Sequence, residues 1–295
     1  MMKSENILIF GAGSIGSYLA AKIYNSEYHV DVVGRKAEKI GSDLYINNEK
    51  YAFPTVSNEI TTDNKYDFLF MTSKIFDLKK NLSYLTKIGL QSKTIVLVQN
   101  CFFKIGEYKK ISEQNITSIL VYDGFNLIDN QLDYIKGAGF IIEDNQSSEN
   151  LYLLLKNADI AISKTDDIIR QRAEKTIYNC SINIFSAIYS KSFRELFEDD
   201  PMVQRIRNVF YESYEILSQK VENLQDRKTL WNNFSKVVKN MNHYASTYQD
   251  VRMNKITELA FLNGFIIESG SKMNIATPYN TEIIKEFKTK YFELY

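Results

Sequence analysis

Ile7-Leu8-Ile9-Phe10-Gly11-Ala12-Gly13-Ser14-Ile15-Gly16 is the stretch on which the fold turns. Four consecutive apolar residues suit a strand buried on both faces, and the glycines that follow match G-x-G-x-x-G. That pattern is weak alone; its surroundings give it weight. In Ser14–Tyr24, Ile15, Leu19 and Ile23 stand four apart, on one helical face, and Val30-Asp31-Val32-Val33 begins a second apolar run. Strand, glycine turn, helix and strand at this spacing predict a βαβ unit that binds a dinucleotide. Gly11 makes the tight turn, Gly13 lets a pyrophosphate approach the backbone, and Gly16 lets helix and strand pack closely. Ala12, Ser14 and Ile15 complete a loop whose free N–H groups sit at the positive end of the helix. The competing reading is a plain glycine turn between strand and helix.

Further apolar runs follow at Asp67–Met71, Thr94–Val98 and Ile119–Tyr122, each suited to a parallel sheet. A less regular stretch around Tyr134–Ile142 reads as antiparallel strand. Beyond residue 165 the pattern becomes helical, at Asp166–Tyr189, Met202–Val221, Thr229–Tyr244, Ile256–Gly270 and Tyr279–Tyr295. The expected fold is therefore α/β: a Rossmann-type N-terminal domain over residues 1–165 and an all-helical C-terminal domain over 166–295. The 295 residues hold 36 Lys plus Arg and 36 Asp plus Glu, a balance without the basic excess of a nucleic-acid or anionic-membrane binder. No apolar run reaches the roughly 18 residues of a membrane-spanning helix. Two cysteines, Cys101 and Cys180, cannot form a disulfide framework, and no export signal precedes the first strand, so the expected compartment is the cytoplasm.

The end of the second strand selects the cofactor. An acidic residue about 20 positions past the glycines would hold the ribose hydroxyl of NAD. Gly34-Arg35-Lys36 stands there instead. Two cations suit a 2′-phosphate, which Arg35 can grip through two N–H donors, so NADP is expected over NAD. In the helical half, Lys175, Asn179 and Asn183 fall on one face at i, i+4 and i+8. An ammonium and two amides in a row can bind a polar oxyacid; by spacing alone a solvated helix face reads the same.

Lys74 in Met71-Thr72-Ser73-Lys74 and Asn100 in Leu97-Val98-Gln99-Asn100 follow strand ends, where binding residues gather. Gln249-Asp250-Val251-Arg252, Thr257-Glu258, Asn263-Gly264-Phe265 and Pro278-Tyr279-Asn280 come later. With the glycine loop and the Lys175–Asn183 stripe, this set resembles the ketopantoate reductases (2-dehydropantoate 2-reductases) over nearly the whole chain. The resemblance implies that NADPH delivers a hydride to the ketone of a 2-oxo acid, ketopantoate by default, in pantothenate biosynthesis. It implies that Lys175 polarises and protonates the carbonyl oxygen and that Glu258 is the second catalytic residue. It places Asn100 beside cofactor and substrate, Lys74 on the cofactor, and Asn179, Asn183 and Ser246 on the substrate.

The chain departs from that family at substrate contacts. Asn100 is followed by Cys101-Phe102-Phe103 where the family places a glycine. Phe193 replaces a substrate-binding asparagine, and His243 replaces another, with Asn242 adjacent. A pocket gaining aromatic residues favours a more apolar or planar 2-oxo acid. A related oxidoreductase acting on another oxo acid or an imine is thus the second expectation. A non-catalytic NADP(H)-binding sensor is the third, since Cys101-Phe102-Phe103 could block hydride access. The expected partner is a small 2-oxo acid, with no nucleic acid and no membrane, on a monomer or homodimer.

Overall fold

The computed structural model describes residues 3–34, 40–60, 62 and 64–295. The chain divides into two compact units. The first runs to Gln99 and from Phe103 to Ile168; the second holds Asn100–Phe102 and Ile169–Tyr295.

The first unit begins β1 (Asn6–Phe10), α1 (Ser14–Tyr24), β2 (His29–Val33), β3 (Asp43–Ile46), β4 (Glu49–Ala52) and β5 (Val56–Ser57). It continues with β6 (Lys65–Met71), α2 (Ile75–Lys87), β7 (Gln91–Leu97), α3 (Gly106–Lys109) and β8 (Asn115–Val121). It closes with β9 (Gly124–Ile128), β10 (Gln131–Ile135), β11 (Phe140–Glu143), α4 (Glu149–Asn157) and β12 (Ile162–Thr165). The main sheet has the order β12-β11-β8-β7-β6-β1-β2-β5. Its pairs are parallel except β8 with β11. Strand order reverses at β1, which pairs with β2 on one side and β6 on the other, so the crevice for a ligand opens at its carboxyl end.

Both faces of the sheet are buried, as the continuous apolar runs require. Ile7, Ile9, Phe68, Phe70 and Val96 enter one core, while the alternating Leu8, Leu69, Ile95 and Leu97 are buried on the opposite face. The stretch around Tyr134–Ile142, read as one antiparallel region, is two strands in two sheets. β10 joins a second sheet, β4-β3-β10-β9, and β11 joins the main one. The second sheet escaped the sequence reading because its strands are four or five residues long and half-exposed. It covers α1: Tyr18 stacks on Tyr134 and packs against Phe125.

The second unit comprises α5 (Ile168–Tyr189), α6 (Phe193–Phe197), α7 (Asp200–Ser218), α8 (Arg227–Val238), α9 (Ser246–Arg252), α10 (Asn263–Met273) and α11 (Pro278–Tyr291). α5 is the axis. Tyr178 stacks on Phe234 of α8 and Phe210 of α7, the Cys180 carbonyl accepts from Asn263 of α10, and Tyr189 donates to Glu286 of α11. Two expected helices are shorter. The one begun near Thr229 stops at Val238, because the following chain gives its Met241 and His243 carbonyls to Arg194 N and Phe193 N. The one expected over Ile256–Gly270 starts only at Asn263. Thr257 spends its N–H and hydroxyl on the Leu294 carbonyl, and Leu262, with φ −103° and ψ −98°, breaks the helical path. Among the described residues no helix is long and apolar enough to cross a membrane.

Candidate active site

The glycine turn follows from steric limits. Gly11 has φ +127°, where side chains are strained, and a Cβ on Gly16 would lie 1.9 Å from the Gly11 carbonyl oxygen. The Thr72 hydroxyl, just past β6, donates to that same carbonyl at 2.7 Å and fixes the turn from below. Gly13 is different: a Cβ there meets nothing within 4 Å. Its bareness serves no packing need, so it leaves room for an outside group. Gly13 is also the N-cap of α1, and no side chain caps that helix. The first-turn N–H groups, at Ser14, Ile15 and Gly16, have no intrahelical acceptor. This bare, uncapped cradle fits a pyrophosphate. Lys74 occupies the N-cap position of α2, two residues past Thr72, and is half-buried. Gln99 braces the strand end by donating to the Met71 and Ser73 carbonyls at 2.7 and 2.9 Å. Arg35 and Lys36 lie outside the described residues. A cleft of about 900 Å³ among Asn6, Lys65, Gln91 and Gln114 opens at the amino ends of β1, β6 and β7, away from this turn. Parallel sheets bind ligands at the carboxyl ends, so the cleft is a feature apart.

In the second unit the stripe on α5 is not a solvated face. Lys175 is 7% exposed and Asn183 6%. Lys175 Nζ donates to Asn100 Oδ1 at 3.0 Å, and Asn179 Nδ2 donates to the Asn100 carbonyl at 3.3 Å. The ammonium has only donors, so it claims the carbonyl end of the Asn100 side chain and turns the NH₂ end outward. A cation and an amide donor side by side form a site for an electron-rich oxygen. No described hydrogen bond engages the Asn183 side chain one turn further along, although the residue is buried.

The other predicted residues stand on other elements. Ser246 is the exposed first residue of α9. Glu258, expected near the start of a helix, heads a separate 3-10 turn, Leu259–Phe261, with its carbonyl accepting from Phe261 and Leu262. The aromatic substitutions lie inside the unit. Phe193 is 8% exposed and packs on the His243 ring at 4.7 Å, and burial holds the imidazole below its ordinary pKa. Phe102 packs on Phe265 at 5.6 Å.

Comparison with known proteins gives the family. The ketopantoate reductase PanE/ApbA family model matches residues 7–149, and its C-terminal companion matches 167–291. The chain belongs to the ketopantoate reductase family. It is an oxidoreductase of that family. The 2-dehydropantoate 2-reductase of Aquifex aeolicus is 22% identical over 242 residues, covering 76% of each chain. A PanE/ApbA family ketopantoate reductase structure from Ralstonia eutropha superposes with a TM-score of 0.87 at 20% identity, covering 98% of this chain and 99% of that one. A D-mandelate dehydrogenase structure with NADH and anilino(oxo)acetate gives 0.85 at 19% identity, covering 98% and 99%.

Some positions that carry the family resemblance are scaffold. Asn263 is fully buried and donates to the Cys180 carbonyl and to Asn280 Oδ1, both at 2.9 Å. Asn280 donates to Glu212, whose carboxylate also accepts the Tyr279 and Asn280 N–H groups and so caps α11. Cys180 is buried, and burial pushes its thiol pKa up, which leaves it inert. Sequence reading missed Arg172, 2% exposed, which donates to the Cys101 carbonyl at 3.1 Å. The available signal was its spacing, three residues before Lys175 on the same helical face.

Proposed function

We propose that the chain reduces a 2-oxo acid to the 2-hydroxy acid with NADPH, using Lys175 as general acid. The observation that carries this reading is the buried Lys175–Asn100 hydrogen bond, with the Asn179 contact that fixes Asn100. The bare Gly13 cradle supports a dinucleotide held by Gly11 through Gly16, with Lys74 at the next strand end and Arg35 selecting the 2′-phosphate. The chemistry that bound NADPH supplies is a hydride for the carbonyl carbon. Lys175 holds a proton at Nζ and passes it to the carbonyl oxygen as negative charge grows there, then regains one from solvent. Asn100 orients the ammonium through Oδ1 and offers its N–H donors to the same substrate. Asn179, Asn183 and Ser246 orient the acid, and Glu258 balances the charge of the lysine.

Ketopantoate is the first substrate to test, since the curated relatives carry its reductase's name. The contact of buried Phe193 with the half-buried His243 ring favours a second reading: an aryl or other apolar 2-oxo acid, the class to which the mandelate dehydrogenase ligand anilino(oxo)acetate is close. The test follows loss of reduced-nicotinamide absorbance with ketopantoate and with phenyl- and alkyl-substituted 2-oxo acids, using NADPH and NADH in parallel. Fast ketopantoate turnover with NADPH supports the first reading. Turnover confined to bulkier acids supports the second, and no turnover of any 2-oxo acid overturns both.

A further inference from the structure

Asn100–Phe102 forms no helix or strand. Its carbonyls therefore need partners from elsewhere, because a buried main-chain acceptor left unpaired is costly. α5 supplies them. Arg172 Nη1 donates to the Cys101 carbonyl and Asn179 Nδ2 to the Asn100 carbonyl, while Lys175 Nζ takes the Asn100 side chain. On a helix of 3.6 residues per turn these three residues fall within about 60° of arc. The segment is thus a strap laid along one face of α5, running counter to the helix. Phe102 completes the attachment on Phe265.

The choice of arginine at the first fastening is informative. Arginine presents a planar donor fork that loses little freedom on bonding, so it holds a carbonyl in a defined place. Cys101 is the neighbour of Asn100. Its carbonyl lies one peptide beyond the Asn100 carbonyl that Asn179 holds, so the two bonds together anchor the strap on both sides of the Cys101 Cα and limit where the Asn100 side chain, with the Oδ1 that orients the Lys175 ammonium, can sit.

We infer that Arg172 is a positioning residue for the reduction, acting through the Cys101 carbonyl to hold Asn100 against Lys175. This rests on the reading of Lys175 as the general acid. A catalytic group displaced by about 1 Å can lose on the order of a hundredfold in rate. R172M is therefore expected to lower kcat about ten- to hundredfold with the KM for NADPH unchanged, and R172K to recover part of that loss.

A second readout needs neither cofactor nor turnover. Hydrogen exchange followed by mass spectrometry on the full chain is expected to show faster exchange in peptides spanning residues 100–103 of R172M, with α7 and α11 unchanged. Wild-type kcat with wild-type exchange in R172M would overturn the inference. So would faster exchange with wild-type kcat, since the strap would then be loose without consequence. Should R172M fail to fold, R172K replaces it. It keeps the charge and the stem but offers a single donor point, and the same two measurements decide. K175A tells the two failures apart. If K175A retains turnover, the general-acid reading has failed; if K175A is inactive and R172M is not, only the role of Arg172 has failed.

Discussion

The glycine turn after β1 and the strap on α5 are each held by a few hydrogen bonds, yet different things fix them. In the turn, the steric demands for glycine at Gly11 and Gly16 arise within a handful of residues, and one bond from Thr72 reaches in from 61 positions away. Gly11 needs its positive φ, and Gly16 has no room for a Cβ beside the Gly11 carbonyl. In the strap, Lys175 and Asn100 stand 75 positions apart, and Arg172 and Cys101 stand 71 apart. The first is steric and local; the second exists only once the helical unit has formed. Substitutions in the turn should therefore register in folding or in cofactor affinity according to which glycine is touched. Substitutions on the α5 face should register in the rate.

The largest effect is expected at Lys175. K175A removes the proton donor, and kcat should fall by at least about a hundredfold, the scale of general acid catalysis. The dissociation constant for NADPH, followed by fluorescence titration, should stay within about twofold. A parallel loss of NADPH binding would break the comparison, because the α5 face would then belong to the cofactor site. G16A should act on the other region and in the other currency. Its Cβ would sit 1.9 Å from the Gly11 carbonyl oxygen and 2.6 Å from the Thr72 hydroxyl. Overpacking of this kind costs about 1–3 kcal/mol, readable as a drop of several degrees in Tm. G13A sharpens the contrast: its Cβ meets nothing, so Tm should hold while NADPH affinity falls about tenfold or more. An unchanged affinity would mean that the open side of Gly13 faces no pyrophosphate.

The same contrast explains what could be read from the chain beforehand. The residues of β1, the glycine turn and α1 could be placed because strand period, turn sterics and helix period act within some twenty residues. α1 runs over Ser14–Tyr24 as its apolar spacing predicts. The stripe Lys175, Asn179, Asn183 was visible as a stripe, but not its burial, since a helix that buries seven of its polar residues defeats a hydrophobic period. Two of those seven satisfy themselves locally, Thr176 and Ser181 donating to carbonyls four residues back. The charged ones need partners that only tertiary structure brings, which is why Arg172 was passed over. Asn263 and Asn280 were legible as family positions without their reason. The reason is a buried chain of amides ending on Glu212.

That chain gives a test of intermediate size. N263A removes the donor to the Cys180 carbonyl and to Asn280, deep between α5, α10 and α11. A buried group left unpaired costs about 1–3 kcal/mol, so the denaturation midpoint should fall while kcat per folded molecule stays near wild type. A hundredfold loss of kcat in a stably folded N263A would move Asn263 from the scaffold into the catalytic set. It would also mean that the α5 face is not the only part of the second unit that registers in rate.

The smallest effect concerns His243. Burial against Phe193 disfavours its charged form, so its pKa in the folded chain lies below the value of about 6.5 it has when unfolded. Between those two values the unfolded chain binds the proton and the folded chain does not. The contribution of His243 to stability is therefore complete above about pH 6.5 and declines as the pH falls toward the folded value. H243Q, which keeps a polar side chain of similar reach and removes the titration, should show a shallower loss of Tm between about pH 6.5 and 5 than the parent. The difference should amount to a few degrees at most, because the ring is only partly buried. An identical slope would mean that the imidazole escapes to solvent and takes its proton freely. The Phe193–His243 wall would then be loose, and the case for an apolar substrate group at that end of the α5 stripe would lose its rigid support. A shallower slope, with activity on bulkier 2-oxo acids retained, would tie the closed aromatic pair to the pocket and set it beside the strap as a second feature that only the folded helical unit creates.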